Sequence, residues 1–104
     1  MYATIRRYES IDNARTRELV KKADETLLPS LSELPGFRGY YLIDTGNGVM
    51  SSINVFDTAE HADESTRVAS TWVREEKLET ALPNPSKITT GEVVVHKTRE
   101  LVTA

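Results

Sequence analysis

Two periodicities divide this chain. From Tyr2 to Tyr8 the side chains alternate, with Tyr2, Thr4, Arg6 and Tyr8 on one side and Ala3, Ile5 and Arg7 on the other. Aromatic and β-branched residues with no Gly or Pro predict a strand there. From Asn13 to Leu34 the spacing changes: Val20, Ala23, Leu27, Leu31 and Leu34 recur at three- and four-residue steps, widened by Leu19 and Leu28. That is one helical face, with Arg15, Arg17, Glu18, Lys21, Lys22 and Glu25 on the wet side. Ser10 or Asp12 can cap this helix. Pro29 should kink or break it, because its ring meets the carbonyl of Glu25 and one backbone bond is lost. Pro35-Gly36 ends it.

Two extended runs follow, Gly39–Ile43 and Val49–Phe56, joined by Asp44-Thr45-Gly46-Asn47-Gly48. The glycines around Asn47 supply the positive φ of a tight hairpin turn. Asp57-Thr58-Ala59-Glu60 has capping-box spacing, with Asp57 as the N-cap acceptor. It predicts a second helix from Thr58 to about Glu79, whose inner stripe is Ala62, Ser65, Ala69, Trp72, Val73 and Glu76, continued after a small shift by Leu78, Ala81 and Leu82. Pro83-Asn84-Pro85 stops it. Gly91–Lys97 reads as the last strand, and the tail Arg99–Ala104 is short enough to fray or to reach a partner.

The order β-α-β-β-α-β is the ferredoxin-like unit. It predicts an α+β domain over 1–104 with an antiparallel sheet, order 4-1-3-2, and both helices on one face. Tyr40-Tyr41-Leu42-Ile43 and Val93-Val94-Val95 are apolar on both faces, as in strands buried on both sides. Two helices cover only one face, so the other predicts a homodimer through the sheet.

Composition narrows the function. With no Cys among 104 residues there is no disulfide framework, thiolate metal site or thiol nucleophile, which fits the reducing cytoplasm. Charges interrupt the first residues before any signal-peptide core forms, and no apolar run reaches membrane-spanning length. The net charge is −3 with acids and bases interspersed, so nucleic acid is not an expected partner. Gly46-Asn47-Gly48 precedes a strand and is not a nucleotide-binding loop. The two His lack metal-ligand spacing, so no metal site is expected.

Several strings carry a resemblance: Leu34-Pro35-Gly36-Phe37 before the second strand, Asn54-Val55-Phe56-Asp57-Thr58-Ala59-Glu60 into the second helix, Trp72 within it, and Gly91-Glu92-Val93. With the element order and length, they resemble the antibiotic-biosynthesis-monooxygenase-like group of dimeric α/β-barrel proteins. The resemblance implies two ferredoxin-like subunits joined through their sheets, each with a cavity between helices and sheet. Some members of that group oxidise polyphenolic aromatics with dioxygen and no metal or flavin; others degrade haem. The haem-degrading members combine an Asn on the first strand with a Trp and a His on the second helix. Here the first strand has no Asn and the second helix has no His beyond Trp72, so no haem is expected, and no other cofactor.

Five residues are candidates for the cavity. Trp72 can simply fill space in an Ala-rich stripe, the common role of a buried aromatic, or stack on an aromatic ligand with its N–H orienting an oxygen. Ser52 and Asn54 alternate with Ile53 and Val55, so one face of the third strand is polar. That face is either solvated or lines a pocket in which Asn54 holds a carbonyl or phenolate. Tyr40 and Tyr41 lie on opposite faces, with Tyr41 taken as the pocket residue. Arg6 and Arg7 also point opposite ways, and whichever faces inward needs a partner or a ligand anion; Arg7 is the candidate. His96 alternates with Val95, and a lone His is more often a satisfied polar residue than a catalyst; His61 is expected to be solvated. Two function classes follow: a cofactor-independent monooxygenase of small aromatic, quinol-type substrates, or a non-catalytic small-molecule-binding or structural dimer.

Overall fold

The structure is a computed structural model that describes residues 1–82, 85 and 87–99. The strands β1 (Tyr2–Tyr8), β2 (Phe37–Gly46), β3 (Val49–Phe56) and β4 (Lys87–Glu92) form one antiparallel sheet in the order β2-β3-β1-β4. This is the predicted 4-1-3-2 arrangement seen from its other edge. The hairpin turns through Asn47 and Gly48, both at positive φ, while the Asp44 carboxylate accepts from the Gly46 amide at 2.8 Å. Gly48 also lies against the Ile11 backbone, where a Cβ would come within 2.7 Å of a carbonyl oxygen.

The first helical segment does not break at Pro29. A 3-10 turn, Asn13–Arg15, capped by Asp12, leads into α1 (Thr16–Lys22), a π turn (Ala23–Leu27) and α2 (Leu28–Ser32). In the π turn the Leu28 amide reaches back five residues to Ala23. That widening, just before Pro29, takes up the clash that would have kinked a regular helix. It also holds a four-residue spacing in line. Leu19, Ala23, Leu27 and Leu31 are all buried, whereas Val20, expected on this face, is exposed. In a pure α-helix each four-residue step turns the face by about 40°; the extra residue per turn offsets part of that drift.

The second helix, α3, spans Ala59–Glu75 and is shorter than expected at both ends. Its N-cap is Thr58, which accepts from the His61 amide, while Asp57 pairs with Arg38 instead. At the C-terminus Lys77 adopts a left-handed conformation, and Lys77 and Leu78 donate back to Arg74 and Val73. This is a Schellman cap made without glycine, which its sequence does not announce. The inner stripe is Ala62, Ser65, Ala69 and Trp72. The expected stop at Pro83-Asn84-Pro85 lies largely outside the described residues, as do residues 100–104 of the tail.

The last strand is displaced from the predicted Gly91–Lys97. It pairs with β1, whose Tyr2 lies opposite Glu92, and the final bond runs from the Val93 amide to the Met1 carbonyl. Val94 and Val95 follow outside the sheet, exposed. Among the described residues no helix is long and apolar enough to cross a membrane.

Candidate ligand site

Alternation along β1 and β3 sends Thr4, Arg6, Ser52 and Asn54 toward the helices, where all four are buried. The polar side of the central strands is therefore the inner side. Arg6 is opposite Ser52 and Thr4 opposite Asn54 in the β1–β3 register, so the four make one patch. Asn54 is its hub. Its Oδ1 accepts from Arg6 Nη2 at 2.9 Å, and its Nδ2 donates to the Thr4 carbonyl at 3.2 Å and to Ser52 Oγ at 3.1 Å. From above, α3 contributes Ser65 and Thr66, which accept from Arg6 Nη1 at 3.4 and 2.9 Å.

Every one of these acceptors is neutral. Arg6 is 1% exposed, the largest fully buried side chain, and its Nε has no partner. Burying a guanidinium without a counter-charge is costly, and neutral hydrogen bonds replace only part of its hydration. Tyr40 feels this charge. Burial pushes its phenol up to about 12 although Arg6 pulls it down, so Tyr40 stays protonated and supplies no counter-charge at neutral pH.

Two spaces adjoin the patch. A small cavity of about 30 Å³ lies between the sheet floor (Arg6, Tyr8, Tyr40, Met50, Ser52) and a roof of Ala23, Leu27, Ala69 and Trp72. It has room for about two waters and no aromatic ring. A larger cleft, of about 310 Å³, runs between α3 and the β4 edge, bounded by Thr66, Ser70, Arg74, Glu79, Pro85 and Ile88. That is the lower end of small-molecule sites. Arg6, Tyr8, Ala69, Val73 and Leu82 line both spaces and form the partition between them.

The five candidates are not brought together. Trp72 is in the cavity roof, but its N–H donates to Thr26 Oγ1 at 2.7 Å and so is not offered to a ligand. Asn54 is on the inner face, where it holds Arg6 from behind and lines neither space directly. Tyr41 is on the outer face, 60% exposed; its neighbour Tyr40 takes the inner position. Arg7 is on the outer face and pairs with Glu9 at 2.8 Å, leaving the inner place to Arg6. His96 lies beyond the end of β4, exposed, and meets neither space. His61 is half-buried rather than solvated, its Nδ1 unpartnered and only 2.2 Å from where a Cβ on Gly36 would sit. The alternation that sets Arg6 against Arg7 and Tyr40 against Tyr41 holds, and in each pair the member facing inward is Arg6 or Tyr40, not the candidate. Among the described residues no three His, Cys, Asp or Glu cluster as a metal site would require.

No protein-family model matches the sequence, and no curated protein is similar to it in sequence. Solved structures match it in shape. A Nitrosomonas europaea protein of unknown function, NE2512, superposes with a TM-score of 0.73 at 16% identity, covering 95% of this chain and 94% of that one. An antibiotic biosynthesis monooxygenase gives 0.68 at 15%, covering 91% and 100%. The monooxygenase ActVA-Orf6 of Streptomyces coelicolor, solved with the ligand nanaomycin D, gives 0.67 at 12%, covering 95% and 92%. At such identities the likeness speaks for architecture alone: the chain has the ferredoxin-like α+β fold of the antibiotic-biosynthesis-monooxygenase-like proteins.

Proposed function

We propose that this protein is a cytoplasmic homodimer that binds a small phenolic or quinol-type aromatic beneath α3 and oxidises it with dioxygen, without a metal, haem or flavin of its own. The observation that carries this reading is the mixed lining. Apolar walls from Ala69, Val73 and Leu82 meet a buried polar floor, Arg6, where the cavity adjoins the cleft. A ring with one oxygen substituent matches that pattern. The shared fold with monooxygenases supports it. The chemistry balances with no added reductant: a phenol and dioxygen give a quinone and water, all four electrons coming from the substrate. The protein's part is to exclude water, orient the ring and stabilise negative charge on its oxygen. The outer sheet face supports the dimer, since Ile5, Tyr41 and Ile43 are exposed there. The lack of cysteine supports the compartment.

The test is turnover of 1-naphthol under labelled dioxygen. One labelled oxygen in the quinone and one in water is the expected result. A second reading, a non-catalytic binding protein, has its own support. The Trp72 N–H is already used, and among the described residues no histidine or buried carboxylate lines either space. Quenching of the single Trp by naphthol with no oxygen uptake would select it.

A further inference from the structure

We propose that the ligand of this cleft is an aromatic acid bound in its ionised form, with its negative oxygen, carboxylate or phenolate, held by the buried guanidinium of Arg6. The inference rests on the reading that the cleft takes an aromatic, and adds its charge.

The argument is one of charge balance. A guanidinium is a cation throughout the physiological pH range. Arg6 lies 1% exposed, at the centre of the sheet's inner face. Its hydrogen bonds go to Ser65, Thr66 and Asn54, none of which carries charge, and its Nε is buried without a partner. Among the described residues no carboxylate reaches it. Four more exposed arginines, Arg7, Arg15, Arg38 and Arg67, do meet acids. Among the described residues the one buried cation thus has no counter-ion. For stability alone an apolar residue at this position would serve at least as well.

Geometry shows where the missing anion fits. Arg6 lines both the small cavity and the cleft, and Thr66, which accepts from Nη1, is itself a cleft residue. A ligand in the cleft thus lies beside a guanidinium already fixed in orientation from both layers, by Asn54 on the sheet and by Ser65 and Thr66 on the helix. A fixed cation loses little freedom on binding. Tyr40 keeps its proton and does not compete for the charge.

The experiment measures affinity by Trp72 fluorescence and by calorimetry for 1-naphthoate, its neutral isostere 1-naphthamide, an ionised nitronaphthol, and cyclohexanecarboxylate. Wild-type protein is expected to bind naphthoate or the nitronaphtholate at least about 30-fold more tightly than the amide, the scale of a buried charge contact. Which of the two anions binds more tightly identifies the source of the oxygen. In Arg6→Met the preference should fall to about one, while the thermal midpoint is unchanged or raised. Equal affinity for acid and amide in the wild type overturns the proposal and leaves the aromatic reading intact. Equal affinity for naphthoate and cyclohexanecarboxylate, both well above the amide, supports the anion site and overturns the aromatic reading. A lowered midpoint in Arg6→Met with the acid preference retained assigns Arg6 to structure and overturns the proposal. Should Arg6→Met fail to fold, the wild-type comparison of acid with amide decides alone.

Discussion

The two faces of the central strands reverse the usual pattern. The inner face of β1 and β3 carries Thr4, Arg6, Ser52 and Asn54, all buried, while the outer side of the sheet carries Ile5 and, on β2, Tyr41 and Ile43, all exposed. Three doublets straddle the pleat: Arg6-Arg7, Tyr40-Tyr41 and Ser51-Ser52. Each places one copy of a side chain on each face, so chemistry is held constant while environment changes. The inner copies, Arg6, Tyr40 and Ser52, all line the cavity, with Arg6 and Ser52 buried and joined through Asn54. Among the outer copies, Arg7 sits in a half-exposed ion pair and Tyr41 is open to solvent. A sheet that buries polar groups and leaves apolar ones uncovered fits a ligand on one side and a second subunit on the other.

The largest expected effect is on the outer face. If a second copy covers it, Ile5→Asp with Ile43→Asp should abolish association and leave the fold intact. Sedimentation equilibrium would then give 11.7 kDa instead of twice that mass. A wild-type monomer at micromolar concentration would refute the dimer.

On the inner face, Asn54→Leu removes the acceptor of Arg6 Nη2 together with two donated bonds. It should cost about 3 kcal/mol in urea denaturation, because a buried charge loses its support. In an Arg6→Met background that loss should fall by more than about half, since no charge remains to be supported.

The tyrosine pair yields a pH effect. The Tyr40 phenol is raised in the fold from its ordinary value of 10 to about 12, so the folded protein holds a proton that the unfolded chain releases. Its stabilising contribution is whole below pH 10 and is lost as pH rises toward 12. The slope is at most about 1.4 kcal/mol per pH unit for one proton. Tyr40→Phe should flatten that part of the stability curve; an unchanged alkaline slope would show that Tyr40 is not its source.

The serine pair gives the smallest contrast. Ser52→Ala removes an acceptor of Asn54 and should cost about 1 kcal/mol. Ser51→Ala, on the other face, should stay within about 0.5 kcal/mol. Equal costs would mean that the faces differ less than their burial suggests.

These doublets also show what the sequence could convey. Local signals placed the hairpin, the element order and the inner stripe of α3, because Asn47-Gly48 and the Ala62–Trp72 spacing act within a few residues. Alternation divided β1 and β3 correctly into two faces. It could not say which face was inner, since a polar stripe normally looks outward. With that left open, Tyr41 and Arg7 were candidates where the structure turns Tyr40 and Arg6 inward. The last strand was misplaced for a related reason. Val93-Val94-Val95 has higher strand propensity than Lys87–Thr90, but pairing depends on where β1 ends, which no local signal reports. The Lys77 cap is legible only in backbone conformation, because its usual glycine is missing.

The π turn of the first helical segment also bears on insertion and deletion. A turn with one residue more than its neighbours is a place where the chain length is one unit out of phase with an ordinary helix. Removing a single residue there, Asp24 or Glu25, would restore ordinary phase. It would also re-index every side chain before the cut against those after it, setting Leu19 and Ala23 out of line with Leu27 and Leu31. The Thr26 hydroxyl, bonded both to the Lys22 carbonyl and to the Trp72 indole, would shift with them. The surplus residue thus acts as a spacer that keys one helix to the ring of the other, and Pro29, just beyond it, disfavours the return to a regular helix.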